Sequence, residues 1–266
     1  MSVRTGGRIG VGTYAYFWRH SSRVARPLTI EEMIDDAVGL GAEVFQICDY
    51  PAVADLAPER LDALAARARG AGIELELGTR GVEPAHLDRY LELAVRLGAT
   101  LVRTMLTGGT AEATEQLAGV LPRYSAAGVT IALETYERVA THDLVGLVER
   151  IGHPNLGICL DPANCVAGLE HPDRVIDAAA AHVVNLHVKD FAFSRDEGWV
   201  GFRLAGSPLG EGRLDLDRLL DRVRPAERGI NQIIEHWLPW QGDEARTVAL
   251  EDRWTRDNLA YLRRRQ

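Results

Sequence analysis

Three carboxylates and one histidine recur in the second half of the sequence at intervals that suit a repeating fold. Glu134, Asp161, His187 and Glu235 each lie at the carboxyl end of a short apolar run. Asp161 follows Glu134 by 27 residues and His187 follows Asp161 by 26, about one β/α unit each. Glu235 follows His187 by 48 residues, so the last unit carries an insertion. Converging carboxylates repel one another unless a cation lies among them, and an imidazole is a neutral fourth ligand. The spacing therefore predicts a metal site.

Ordinary structural roles compete with this hypothesis. A single strand-end carboxylate often caps a neighbouring helix or pairs with an arginine, and a single strand histidine is often a core residue. The metal hypothesis therefore depends on the set of four rather than on any one residue.

The ligand types indicate the chemistry. Oxygen-rich ligation with one imidazole favours Mn²⁺ or Mg²⁺, with Co²⁺ as a third candidate. One such ion stabilises the enediolate that forms when a carbon-bound proton leaves an α-hydroxy ketone or aldehyde. Glu134 and Glu235 are the predicted acid/base pair that exchanges this proton across the substrate. We expect a divalent-metal-dependent enzyme that epimerises or isomerises an α-hydroxy ketone or aldehyde.

Eight short β-branched runs, each followed by an amphipathic segment of helical length, must position these residues. The runs are RIGVGTY, EVFQICD, IELELGT, TLVRTML, TIALETY, LGICLDP, VVNLHVKD and QIIEHW. Thr29 or Thr141 is a predicted helix N-cap, and prolines mark helix starts at Pro58, Pro84 and Pro172. Glycines mark the helix ends at Gly41, Gly72, Gly98, Gly128 and Gly152.

Strict alternation of strands and helices requires parallel strands with right-handed crossovers, and eight units close into a barrel. We therefore predict an α/β protein with a single (β/α)8 TIM barrel over residues 1–266 and an insertion at about 191–213, between strand 7 and helix 7. A doubly wound open sheet is the competing fold, but GVGTYA after the first strand is not its GxGxxG fingerprint.

Composition excludes several classes of protein. A chain of 266 residues with 46% hydrophobic residues and a net charge of -8 lacks the basic face of a nucleic-acid binder. No apolar run approaches the length of a membrane span or a signal peptide, which predicts a cytoplasmic protein without a membrane partner. Cys48, Cys159 and Cys165 fit reduced structural thiols.

The order Glu, Asp, His, Glu on the last four strands resembles the sugar phosphate isomerase/epimerase branch of the xylose-isomerase-like barrel superfamily. The matching motifs are LET at Glu134, LDPAN at Asp161, LHVKD at His187, IEH at Glu235, and PLGEGRLD at 208–215. The resemblance implies a small-molecule carbohydrate or sugar-acid substrate. It also admits a lyase or dehydratase acting on a keto sugar or keto acid at the same site, and a sugar-binding barrel without catalysis.

Several strand-end residues are predicted substrate contacts. Arg80 and Arg103 suit a phosphate or carboxylate on the substrate, and the alternative is an ion pair with Glu76. Lys189 suits a substrate oxygen, and the alternative is a pair with Asp190.

Asn164 stands where ketohexose epimerases have a histidine, which argues against a free ketohexose as substrate. Tyr14 and Gln46, from the ends of the first two strands, are further predicted contacts. Arg203 in the insertion is another, and the insertion is predicted to be a lid. Its aromatic residues are Phe191, Phe193, Trp199 and Phe202. A subunit contact in a homo-oligomer is the alternative role of this insertion.

Overall fold

Eight parallel strands close into a barrel in the computed structural model, which describes residues 6–265 apart from the side chain of Trp199. The barrel strands are β1 (Ile9–Gly12), β2 (Val44–Cys48), β3 (Glu74–Gly78), β4 (Leu101–Thr104), β5 (Thr130–Glu134), β6 (Leu156–Leu160), β7 (Val183–Val188) and β10 (Asn231–Ile234). Two further strands lie between β7 and β10 in the sequence, β8 (Asp190–Arg195) and β9 (Phe202–Ser207). The barrel order is β1, β10, β7, β6, β5, β4, β3, β2, while β8 and β9 form a separate antiparallel pair. The predicted (β/α)8 TIM barrel is confirmed.

Helices connect the strands around the outside of the barrel. They are α1 (Ile30–Gly39), α2 (Pro58–Ala71), α3 (Pro84–Leu97), α4 (Thr110–Ala127), α5 (Thr141–Ile151), α6 (Pro162–Cys165), α7 (Pro172–Ala179), α8 (Leu216–Val223), α9 (Pro225–Arg228) and α10 (Glu244–Arg263). Their buried apolar residues pack with those of the strands into one large core cluster. This layer holds the strand ends, and therefore the candidate site, in fixed positions.

The helix boundaries follow the local chemistry of the sequence. Thr29 caps α1 in a capping box with Glu32, as predicted. Pro58, Pro84 and Pro172 are the first residues of their helices, also as predicted. The N-cap prediction for Thr141 is wrong, because Thr141 is already the first residue of α5. Its backbone N–H and hydroxyl instead donate to the Glu170 carboxylate, which stabilises the start of the helix from outside.

The insertion after β7 contains a β-hairpin. The strands β8 and β9 pair from Asp190 with Ser207 to Arg195 with Phe202. Phe191 is buried, whereas Phe193 and Phe202 are exposed. Of the residues predicted to form a lid, the Trp199 side chain lies outside the described part of the chain.

The hairpin is attached to the barrel through backbone contacts at Gly206. Its N–H donates to the carbonyl oxygen of Trp237 at 3.0 Å. A Cβ added at position 206 would lie 2.6 Å from that same oxygen, so only glycine allows this approach.

Asp190 fastens the turn at 208–215 to the end of β7. Its Oδ1 accepts the N–H groups of Phe191 and Leu214, and its Oδ2 accepts those of Gly210 and Gly212, all at 2.8 to 2.9 Å. The suggested pair between Asp190 and Lys189 does not form among the described residues, because this carboxylate is engaged by backbone donors. The shape of the turn thus follows from one buried acid.

We expect Asp190→Ala to lower the free energy of unfolding by about 3–5 kcal/mol, because it leaves four N–H groups without their acceptor in a buried region. Urea unfolding followed by circular dichroism measures the loss. The matched control is Asp221→Ala on the exposed face of α8, which should change stability by less than about 0.5 kcal/mol. Equal effects of the two substitutions would contradict this role of Asp190.

Candidate metal centre and active site

The four predicted ligands meet at one end of the barrel. Glu134 is the last residue of β5, Asp161 and Glu235 directly follow β6 and β10, and His187 is near the end of β7. All four are at most 2% exposed. His187 Nδ1 lies 3.4 Å from Glu134 Oε1, 3.8 Å from Asp161 Oδ2 and 3.5 Å from Glu235 Oε1. One imidazole nitrogen therefore faces three carboxylates.

These atoms suit a divalent cation. Ligands held at about 2.0–2.2 Å from one ion lie about 3–4 Å from one another, as they do around His187 Nδ1. His187 Nδ1 and Glu235 Oε1 are buried without a hydrogen bond, whereas Glu134 Oε2 and Asp161 Oδ2 pair with Arg103 and Lys189. Because buried polar atoms are almost always hydrogen-bonded, the two atoms without a bond indicate a missing partner. The ligand atoms of Glu134, Asp161 and His187 form a group within 4.8 Å of one another, and Glu235 does not belong to this group.

The capping role considered for the carboxylates is also present at Asp161. Its Oδ1 accepts the N–H groups of Ala163 and Asn164 and so caps α6. Its other oxygen, Oδ2, faces His187 Nδ1. Capping therefore orients this carboxylate without using the oxygen that is offered to a metal.

Two buried cations compensate the acids. The Arg103 guanidinium forms an ion pair with Glu134, and the Lys189 ammonium lies 2.7 Å from Asp161 Oδ2. Burial by itself would raise the pKa of Glu134, but Arg103 and His187 outweigh it and hold that pKa below its ordinary value. Burial opposes ionisation of Asp161 as well, and Lys189 outweighs it to lower the pKa. Both groups are therefore carboxylates.

Glu235 has a different environment from Glu134. Asn164 donates to Glu134 Oε1 at 2.7 Å, and Arg103 pairs with its other oxygen. Among the described residues, the Glu235 carboxylate accepts one hydrogen bond, from Lys189 to Oε2 at 3.4 Å, while its Oε1 has no hydrogen bond and lies 3.5 Å from His187 Nδ1. Burial raises the pKa of Glu235 above its ordinary value, against the opposing effects of His187 and Lys189. The two glutamates are therefore not equivalent.

A cavity of about 360 Å³ opens beside the cluster. Of the predicted site residues, it is lined by Tyr14, Arg80, Arg103, Glu134, Asn164, Lys189 and Glu235. This volume lies within the range of small-molecule sites. Tyr136, Arg138 and Trp237 also line the cavity and were not predicted from the sequence. The Lys189 ammonium lies 4.2 Å from the centre of the Trp237 ring, so the ring forms an apolar wall next to a buried cation.

Arg80 and Arg103 are ion-paired, but not with Glu76. Asp49 accepts from Arg80 at 2.8 Å and from Arg103 at 3.2 Å. Tyr14 also donates to Asp49 at 3.0 Å. Glu76 lies instead among the amides of Gln46, Asn185 and Asn231. Asp49, just beyond β2 and with φ +48°, is thus the ion-pair partner of both arginines in place of the predicted Glu76.

Two of the predicted substrate contacts, Gln46 and Arg203, do not line this first cavity. Gln46 is fully buried, and its amide bonds to His187, Glu76 and Asn185. A contact between Gln46 and a substrate would require one of these bonds to break. Arg203 lies on β9 beside a second, mainly apolar cavity of about 400 Å³, which shares Tyr14 and Trp237 with the first.

Arg138 is the functional candidate that sequence reasoning missed most clearly. It is exposed, lines the cavity, and has no hydrogen bond or ion pair to any residue that the structure describes. It lies beyond the end of β5, four residues after Glu134, where it does not stand out from other surface arginines. Position at the barrel mouth is the only signal that distinguishes it.

The barrel, the buried ligand cluster and the adjoining cavity define a TIM-barrel enzyme with a candidate metal centre. The model of the xylose isomerase-like TIM barrel family matches residues 34–265, and the chain belongs to this family. No helix within residues 6–265 combines the length and apolar character that a membrane span requires.

One relative is similar along nearly the whole chain. The 3-oxo-isoapionate decarboxylase of Pectobacterium atrosepticum is 52% identical over 259 residues, which cover 96% of this chain and 94% of the relative.

Solved structures share the fold at much lower identity. D-psicose 3-epimerase superposes with a TM-score of 0.73 at 15% identity, covering 96% of this chain and 98% of that one. A xylose isomerase-like TIM barrel protein from Mycobacterium smegmatis, in complex with magnesium, has a TM-score of 0.70 at 16% identity, with 98% and 99% covered. At these identities the likeness shows the fold alone.

Proposed function

We propose that the protein is a divalent-metal-dependent decarboxylase of a 3-oxo sugar acid, and therefore a carbon–carbon lyase. The asymmetry between the two glutamates is the observation that supports this most directly. Glu134 is held by Arg103 and Asn164, whereas Glu235 Oε1 is unbonded. Decarboxylation needs one group that delivers a proton, whereas two-base epimerisation needs two acid/base groups. The 52% identity to 3-oxo-isoapionate decarboxylase supports the same reaction.

The reaction breaks the bond between the carboxylate carbon and the carbon next to the ketone. CO₂ leaves, and the bonding electron pair remains on that carbon and spreads to the ketone oxygen. A proton then adds to the carbon. A divalent ion held by Glu134, Asp161, His187 and Glu235 would supply Lewis-acid stabilisation of the negative charge on that oxygen.

The chain itself supplies the remaining functions. The Lys189 ammonium lines the cavity and is held between Asp161 and Glu235, so it is placed to donate a hydrogen bond to the developing oxyanion. Glu235 lines the same cavity and delivers the proton to carbon. The Trp237 ring excludes water from the side of Lys189.

Arg138 is our candidate for recruiting the acidic substrate. It lines the cavity without a hydrogen bond or ion pair to any residue within the described part of the chain, whereas Arg80 and Arg103 are already paired with Asp49. The carboxylate loses its charge as CO₂ forms, so a strong buried ion pair would stabilise the starting state more than the transition state. An exposed arginine attracts and orients the acid without that penalty.

The proposal is tested with a 3-oxo sugar acid in D₂O, using 3-oxo-isoapionate as the first substrate and enzyme loaded with Mn²⁺ or Mg²⁺. We expect one CO₂ released per substrate consumed, and one deuterium on the carbon that carried the carboxylate. Gas analysis and NMR of the product measure these. Product that retains its carboxylate would contradict decarboxylation, and loss of water instead of CO₂ would indicate a dehydratase.

Epimerisation or isomerisation of a sugar or sugar acid is the second candidate. It is favoured by one observation, that Glu134 and Glu235 both line the cavity and both lie within 3.5 Å of His187 Nδ1. In this mechanism each glutamate serves as a base in turn. Its signature in the same D₂O experiment is deuterium at an inverted or migrated stereocentre, with every carbon retained.

A further inference from the structure

A series of buried amides connects His187 to Glu76. The second ring nitrogen of His187, Nε2, lies 2.8 Å from Gln46 Oε1. Gln46 Nε2 in turn donates to Glu76 Oε2 and to Asn185 Oδ1, both at 3.0 Å. These four side chains are at most 1% exposed, so water does not replace any of the bonds. They come from β2, β3 and β7, and the contacts cross the barrel interior.

Acceptors on Glu76 and Asn185 determine which way the Gln46 amide points. The Glu76 carboxylate receives N–H groups from Asn185 at 3.0 and 3.2 Å and from Asn231 at 2.8 Å. Because the Asn185 nitrogen is engaged by Glu76, its oxygen faces Gln46. Both atoms opposite Gln46 Nε2 are therefore acceptors, and a reversed amide would place oxygen against oxygen. The Gln46 oxygen must face His187.

This orientation decides which nitrogen of His187 binds a metal. A carbonyl oxygen accepts hydrogen bonds only, so His187 Nε2 carries the proton of the neutral ring. The lone pair is then on Nδ1, the atom that faces Glu134, Asp161 and Glu235. We infer that Glu76 is a positioning residue that fixes, through Gln46, the ring orientation and the proton position that His187 needs to bind the metal. The inference rests on the proposed metal site.

Mn²⁺ binding tests this without substrate or turnover. Metal-free protein is titrated with Mn²⁺, and the electron paramagnetic resonance signal of the free ion gives the affinity. Glu76→Gln should lower the affinity about ten- to a hundredfold, because an amide at position 76 cannot accept all of the N–H groups around it. Gln46→Leu should lower it by a similar factor while leaving the charge of Glu76 in place.

Combining the two substitutions shows whether Glu76 acts on His187 through the hydrogen bonds of Gln46 or acts on the metal through its negative charge. With Gln46→Leu already present, Glu76→Gln should change the affinity by less than about twofold, because its route to His187 is gone. If Glu76 acted only through its negative charge, Glu76→Gln would weaken Mn²⁺ binding equally in both backgrounds, and that result would overturn the inference.

A reciprocal exchange covers the case in which Glu76→Gln alone fails to fold. Gln46→Glu with Glu76→Gln puts a carboxylate next to His187 Nε2 and an amide at position 76. Rotation of the Asn185 amide then turns its N–H toward the carboxylate at 46 and its oxygen toward the N–H of the amide at 76, so the donors regain acceptors. The affinity should return to within about threefold of wild type, with circular dichroism confirming the fold. No recovery in a folded exchange variant would overturn the inference. Wild-type protein that binds no Mn²⁺ would overturn the proposed metal site itself, whereas tight wild-type binding that Glu76→Gln leaves unchanged would overturn only the role of Glu76.

Discussion

His187→Ala should lower the affinity for Mn²⁺ by more than about a hundredfold. Substitution of a residue that only hydrogen-bonds to a metal ligand already lowers metal affinity about ten- to a hundredfold, and this substitution removes the ligand itself. It also leaves Glu134, Asp161 and Glu235 facing one another without the nitrogen between them. Decarboxylation should fall with the bound metal. Elemental analysis of purified protein and titration of the metal-free form measure the two effects.

His142→Ala is the matched control for that experiment. The side chain of His142 is 79% exposed beside Asp143 at the start of α5 and is not among the candidate ligands, so its loss should leave the metal content unchanged. Undiminished metal in His187→Ala would contradict the assignment of the ligand set. Metal lost equally from both variants would indicate adventitious surface binding.

Glu235→Gln should lower kcat by about 10²–10⁴-fold, the usual contribution of a positioned acid or base. The amide keeps the size of the side chain and one oxygen, but it has no acidic proton to deliver. Its effect on unfolding should be small, because Glu235 Oε1 has no hydrogen bond to lose and Lys189 keeps its contact with Asp161. Steady-state kinetics and thermal unfolding measure the two quantities.

Glu134→Gln is the natural comparison, and we expect a different pattern. Arg103 is 3% exposed and pairs with Glu134, so removing that charge leaves a buried guanidinium with only Asp49. Breaking a buried pair from one side costs about 3–5 kcal/mol of stability. If both variants instead stay stable and each abolishes inversion of a stereocentre, a two-base epimerase replaces our proposal.

The sequence alone determined the barrel and the order of its candidate metal ligands along the chain. Alternating apolar runs and amphipathic segments require parallel strands, and prolines and glycines such as Pro58 and Gly72 set helix limits through local backbone chemistry. In a parallel barrel the carboxyl ends of the strands share one face. Glu134, Asp161 and His187 therefore had to converge whatever the side-chain packing in between.

Tertiary structure decided what the side chains around the cluster do. Arg103 pairs with Glu134 and Asp49, and Gln46 bonds to His187. These partners lie far apart in the sequence: Arg103 and Glu134 are separated by 31 residues, and Gln46 and His187 by 141. The alternation of side chains along each strand places these residues on the inner face of the barrel. Which of them are in contact depends on how the barrel closes.

The choice between the two proposed reactions, epimerisation and decarboxylation, also rests on contacts that form only in the folded chain. The sequence presents Glu134 and Glu235 as equal candidates, since each is a glutamate at a strand end. Only folding brings the Arg103 guanidinium and the Asn164 amide to Glu134, while Glu235 Oε1 is left without a hydrogen bond. The candidate ligands could be predicted because they lie at the ends of strands, and the local sequence pattern locates those ends. Acid strength and hydrogen-bond occupancy depend on burial and on distant charges, which exist only after folding.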